Sequence, residues 1–194
     1  RGYTILAVWE NGFRHVTNNT RPVVTPSDLS GIKLRTPRGI WRVKLFQAFG
    51  ANPTPMPLSE VFVALQTGVM DGQENPLAQI HASKFQEVQT YLSLTGHVYT
   101  PAYVTVGASW DRLPEDVRAT LQRIASENQS FVHETATQMD ADFLVELREA
   151  GVEVNQPDRD AFIRVSTEIF EEFGSTVEGG EAMVADALGL VDGA

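Results

Sequence analysis

Between Ile32 and Val88 the chain switches three times from a short β-forming run to a short helical one, with prolines and glycines at most of the changes. IKLRT, residues 32–36, reads as a strand that Pro37 and Gly39 break. From Trp41 to Phe49 the apolar positions 41, 45, 46 and 49 fall at helical spacing, and Gly50 suits the C-cap. ANPTPMP is held extended by its prolines, and Ser59 is the expected N-cap of a helix through VFVALQT. VMDGQENP reads as a turn and short strand, followed by helix from Leu77 to Val88. Such alternation argues for an α/β sheet covered by helices.

The flanks extend the pattern. TILAVW and FRHVTN read as two strands with a sharp bend at Asn11-Gly12, and PSDLSG as a short helical turn closed by Gly31. Tyr91 to Ala108 is dominated by β formers. From Pro114, placed in a first helical turn, a stripe of Val117, Leu121, Ile124, Phe131, Thr135, Met139, Phe143 and Leu147 implies one long helix ending at Gly151, or two with a bend. A brief strand at 152–155, an amphipathic helix at 158–173 and a weaker helix at 179–188 with a frayed Gly-rich tail complete the expectation.

Composition narrows the chemistry. With 42% apolar residues the 194-residue chain can bury one large core or two small ones. Its 15 Lys and Arg against 25 Asp and Glu give a net charge of -10, which argues against nucleic acid as a partner. No stretch approaches about 18 consecutive apolar residues, so no membrane-spanning helix is expected. The Arg1 start lacks an initiator Met and a signal peptide, and reads as a chain from which something has been removed. Zero cysteines exclude disulfides and thiol chemistry.

The four histidines, His15, His81, His97 and His133, lack metal-ligand spacing, so neither a metal nor a cofactor is expected. G-x-S-x-G, P-loop and G-x-G-x-x-G signals are missing too. Asp71 and Glu74 present an acid/base pair on paper, against the simpler reading of turn capping and solvated charge. Arg14 and Arg35 stand out because each sits inside a β-type run, where a permanent charge must reach solvent, a carboxylate of the protein or a bound anion. Arg35, next to Thr36-Pro37, falls at the carboxyl end of its strand, where α/β sheets bind ligands.

GFRHVTNNTRPV, DLSGIKLRTPRG and ANPTPMPLSEVFVALQTGVMDGQENP, in that order and spacing, resemble the DctP-type solute-binding proteins of TRAP (tripartite ATP-independent periplasmic) transporters. The resemblance is most specific from Ser27 to His97 and continues more weakly through LPEDVR and the terminal helices. It implies a periplasmic binding protein-like, type II-like, two-lobed α/β architecture that closes on a carboxylate and delivers it to membrane permease subunits. It assigns Arg35 as a two-pronged anchor for the ligand carboxylate, left unpaired until ligand arrives, with Arg14 contacting the same ligand or orienting its far end. Asn75 would hydrogen-bond the ligand, His97 would order water at the pocket floor unless it is a packed core histidine, and Arg38 would add positive charge at the next helix start. Leu58 stands where sialic-acid-binding members carry an aromatic residue, which favours a smaller acid such as a sugar acid or hydroxy acid. Trp9 and Trp41 are read as core packing rather than pocket wall.

The resemblance also implies that this chain is the C-terminal portion of such a protein, mainly the second lobe plus a long connecting helix. Residues 1–11 would end the first lobe, 12–100 form the second lobe, 101–140 link the lobes, and 141–194 pack on the second. Weak or no ligand binding by the chain alone follows, with an exposed apolar face and a fragment dimer or swapped assembly as a way to cover it. Two rival readings share the pocket: a ligand-sensing extracytoplasmic domain, and an enzyme relying on Asp71, Glu74 or His97.

Overall fold

The computed structural model describes residues 2–192. Its centre is a six-stranded sheet in the order β3-β2-β4-β1-β5-β6, built from β1 (Thr4–Asn18), β2 (Lys33–Thr36), β3 (Asn52–Pro55), β4 (Gly72–Pro76), β5 (Tyr91–Val106) and β6 (Glu153–Asn155). Helices α1 (Ile40–Ala48) and α2 (Leu58–Gln66) connect β2, β3 and β4, and those three strands run parallel. β1 lies antiparallel to both β4 and β5, so it is the seam that joins the wound half to the long ribbon.

Asn11-Gly12 does not reverse the chain. β1 is one strand of 15 residues, and the expected bend is taken up by register slips against β5, one of them between Glu10 and Gly12, with Gly12 at φ +99°. A hairpin needs its two arms to pair with each other, whereas here β5, 16 residues long, supplies partners to both arms, and the glycine serves a bulge instead.

Two apolar layers sandwich the sheet. Val16, Leu34, Phe46, Phe49 and Phe162 pack one face under α1 and α6 (Arg159–Thr176). Val61, Leu65, Ile80, Phe85, Leu92 and Leu147 pack the other under α2, α3 (Leu77–Ala82) and α5 (Gln129–Glu149). The ribbon end has a small cluster of Leu6, Ala7 and Ala125, the last from α4 (Glu115–Glu127), and Trp9 joins it while its Nε1 donates to the Ala125 carbonyl at 3.1 Å. Trp41 meets Phe173 edge to face at 5.1 Å and stays half-buried at the seam of α1 and α6, so of these two only Trp9 joins a core cluster.

Several element boundaries differ from expectation. Ser59 lies inside α2 and Pro57 occupies the N-cap position, because the preceding proline run delivers the chain already extended to the helix start. The helix expected at 77–88 stops at Ala82: Lys84 takes a left-handed conformation at φ 56° and a 3-10 turn, Phe85–Glu87, drops Phe85 into the core. Pro114 stands at the N-cap of α4 rather than within its first turn. The long stripe divides at Asn128, whose Nδ2 donates to the Ile124 carbonyl at 2.8 Å and closes α4 before α5 begins. Of that stripe only Leu147 is buried, while Val117, Leu121, Ile124, Phe131 and Met139 stay exposed, because the sheet reaches only the C-terminal end of α5 with its core. The last helix, α7 (Gly180–Asp192), runs on through Gly189, and the remainder of the expected frayed tail, residues 193–194, lies outside the described residues.

Candidate functional site

The carboxyl ends of β2 and β4 and the middle of β1 and β5 bring four sequence-flagged residues to one level of the sheet. Arg35 pairs with Gln73 across β2 and β4, while Arg14 pairs with Pro76 on one side and Val98 on the other. This places Arg14, Arg35, Asn75 and His97 around a carboxylate, Glu74, that is fully buried.

Glu74 is the hub. Arg14 donates from Nε to its Oε2 at 2.6 Å and from Nη2 to its Oε1 at 3.1 Å, the parallel fork that guanidinium and carboxylate planes permit. Arg42 donates from Nη1 to Oε2 at 2.7 Å, and His97 donates from Nε2 to the same oxygen at 2.9 Å. Burial alone would raise the Glu74 pKa, but the His97 and Arg14 contacts prevail and hold it at about 2. Turn capping in solvent, the simpler reading of Glu74, is thus wrong for this residue. It holds for Asp71, whose Oδ2 accepts the Lys33 amide at 2.8 Å at the surface.

The histidine expectation resolves toward packing. The ionised Glu74 oxygen can only accept, so His97 keeps its proton on Nε2, and Nδ1 of the neutral ring is left to accept the Thr95 hydroxyl at 2.8 Å. The ring lies edge to face on Phe46 at 5.0 Å, and burial lowers its pKa against the pull of Glu74.

Arg35 is different in kind. It is 3% exposed, and its Nε and Nη2 both donate to the Met56 carbonyl, at 2.9 and 2.6 Å. No carboxylate lies within ion-pair distance of it among the described residues. Burial lowers its pKa, Glu74 opposes this from a distance, and Arg14 and Arg42 add repulsion. It is therefore not free of partners, as expected, but clamped by a neutral one. The grip uses two of its five N–H groups and leaves the outer Nη1–Nη2 edge for an anion.

Asn75 is tied in at both ends: its Oδ1 accepts from Arg14 Nη2 at 2.8 Å and its Nδ2 donates to Gln73 Oε1 at 2.5 Å, leaving one N–H and one lone pair. Gln73 Nε2 continues to Thr17 Oγ1 at 2.9 Å, and Thr17 to Gln89 at 2.8 Å, so a buried polar chain braces the cluster from below. Arg38 is exposed just before α1, and Leu58, 38% exposed, opens α2 two residues beyond the Met56 carbonyl. Sequence reasoning missed Arg42 and Gln73. Neither lies in a pattern that marks it, since Arg42 is on a helix 32 residues from its partner Glu74.

The fold is thus an α/β sheet covered by helices on both faces, with a guanidinium cluster gathered at its strand ends. The description "Bacterial extracellular solute-binding protein, family 7" (DctP) matches residues 1–176, and the chain belongs to this family of solute-binding proteins. It is 38% identical to the 2,3-diketo-L-gulonate-binding periplasmic protein YiaO of Escherichia coli (strain K12), over 99% of this chain and 58% of that protein. A TRAP periplasmic solute binding protein of Chromohalobacter salexigens, solved with bound D-glucuronate, superposes with a TM-score of 0.92 at 30% identity, covering 95% of this chain and 62% of that one. Another from Roseobacter denitrificans, with bound L-galactonate, gives 0.84 at 34% identity, covering 96% and 61%. The chain thus spans about three fifths of the length of these relatives.

Proposed function

We propose that this chain forms the arginine-bearing side of a periplasmic solute-binding component of a TRAP transporter, which captures a small organic acid of the sugar-acid or hydroxy-acid type and passes it to the membrane permease. The observation that carries the reading is the charge imbalance at the strand ends. Three buried or partly buried guanidiniums surround one carboxylate, and the one that carboxylate does not reach, Arg35, is clamped by the Met56 carbonyl with its outer edge unclaimed. A ligand carboxylate accepts two parallel charge-assisted bonds there and relieves the repulsion from Arg14 and Arg42.

In this reading Arg14 acts through Glu74 and Asn75, presenting a fixed polar wall, and Asn75 offers its remaining N–H to the ligand. Arg38 adds positive charge at the rim, His97 supports Glu74 from the core side, and Leu58 lines the entry. Residues 12–100 with the terminal helices form one lobe, and the ribbon end with α4 and most of α5 belongs to the connections and the other lobe. Binding rather than turnover follows from how the candidate acid/base groups are used: Glu74 is saturated by three donors, and His97 is sealed with both ring nitrogens engaged.

The test is a thermal-shift screen with D-glucuronate, L-galactonate and other sugar acids on a protein carrying this chain together with the additional length of its relatives. A ligand at about a hundred times its Kd stabilises by roughly 2.7 kcal/mol. A shift lost in Arg35→Ala supports the reading, and a shift that survives moves the carboxylate elsewhere. The chain alone, with one side of the site, should bind more weakly; equal affinity would contradict the two-sided site.

A further inference from the structure

On the α1 side of the cluster, away from the Met56 clamp, lies a cleft of ≈ 280 Å³ between α1 and α6, walled by Trp41, Leu45, Ile169, Phe170 and Phe173, with Arg42 as its cation. No acidic side chain lines it. Phe170 and Phe173 are also walls of a second cleft, ≈ 410 Å³, whose remaining lining is Met183, Val184, Ala187 and Leu188 of α7, apolar throughout. One charged end thus adjoins a long apolar one.

Arg42 has capacity to spare. Its Nη1 donates to Glu74, while Nε and Nη2 have no hydrogen-bond partner among the described residues and are not sealed from solvent. Glu74 is already the counter-charge of Arg14, so it cannot fully neutralise Arg42 as well. Burial disfavours the Arg42 charge, and an anion beside it would offset that cost.

We propose that the joined clefts bind an aliphatic carboxylate, with its head on the free edge of Arg42 and its tail passing Phe170 and Phe173 into the α6–α7 groove. This site goes beyond the Arg35 ligand site and selects a different chemistry. A sugar acid would lose water from its hydroxyls against walls that offer few partners, and a cationic or neutral amphiphile would leave the Arg42 charge unanswered. The Trp41–Phe173 pair forms the lintel between head and tail, with Lys44, 5.4 Å above the Trp41 ring, at the rim.

The experiment is calorimetric titration of this chain with decanoate below its micelle concentration, against decanol and decyltrimethylammonium. Saturable decanoate binding is expected, with decanol weaker by about tenfold or more, as loss of a charge-assisted contact predicts. Arg42→Gln should weaken decanoate by a similar factor. Because Arg42 also holds Glu74, the second variant is Ala187→Trp, which fills the exposed tail groove without touching the cluster and should abolish most of the binding. Arg35→Lys should leave decanoate binding unchanged, which separates this site from the sugar-acid site. Equal binding of decanoate and decanol, binding untouched by Ala187→Trp, or no saturable decanoate binding would overturn the proposal.

Discussion

Arg14 Nε and Glu74 Oε2 stand 2.6 Å apart with both side chains almost wholly withdrawn from water, and the same carboxylate oxygen receives Arg42 and His97. One carboxylate is therefore the shared counter-charge of guanidiniums on two elements, β1 and α1. Glu74→Gln leaves Arg14 and Arg42 buried without a counter-charge, and should cost about 3–5 kcal/mol in denaturant unfolding. A loss below about 1 kcal/mol would show that water reaches the cluster.

Arg35 has no carboxylate to lose. Arg35→Lys removes the planar fork but keeps the charge, so sugar-acid affinity should fall by about one to two orders of magnitude, measured by calorimetry. Unchanged affinity would rule out two-pronged recognition.

His15 supplies one part of the pH dependence, and buried His97, whose pKa is also lowered by burial, adds to it with the same sign. The Gly96 amide donates to its Nδ1 at 3.1 Å, so that nitrogen must be unprotonated, and burial, then His97 and Arg159, lower its pKa from 6.5 to about 4. A base with a depressed folded pKa contributes stability above its unfolded value that is lost as protons bind. Stability should therefore fall as pH drops from about 6.5 to about 4, by roughly 2–3 kcal/mol, and His15→Asn should flatten that part of the profile. Glu74 adds a second loss between its ordinary value of 4.5 and about 2. A wild-type melting temperature that stays level between pH 6.5 and 4.5 would contradict the His15 assignment.

Gly72 is required by space. A Cβ built there would stand 2.4 Å from the Thr17 carbonyl oxygen and 2.8 Å from Asn18 Cβ, both on the paired strand β1. Gly72→Ala must force β1 and β4 apart, with a cost of about 2 kcal/mol or more in chemical denaturation and lost protection of the β4 amides from hydrogen exchange.

Thr36 offers a gain. Its hydroxyl is buried with no hydrogen-bond partner among the described residues, so Thr36→Val should be neutral or stabilising by up to about 1 kcal/mol. A clear loss in the melting curve would reveal a partner such as an internal water.

The strand–helix order was legible because it is written in short-range signals. Apolar spacing gave α1, glycine and proline gave the ends of β2 and β3, and Arg35 drew notice as a charge inside a β run. Arg35 and Asn75 were also carried by motif resemblance, and the structure ties the first to the Met56 carbonyl and the second to Arg14 and Gln73.

Readable from local residue patterns and motifs, then, are the α/β class, the family resemblance and the arginine that stands out. Long-range packing alone makes Asn11-Gly12 bulge within one long strand, buries Glu74 rather than Asp71, and brings Arg42 to it. Periodicity and capping act over a few residues, so a sequence carries them openly. Which strand lies beside β1, and which helix lowers a guanidinium onto a carboxylate 32 residues away, depends on where separate elements come to rest.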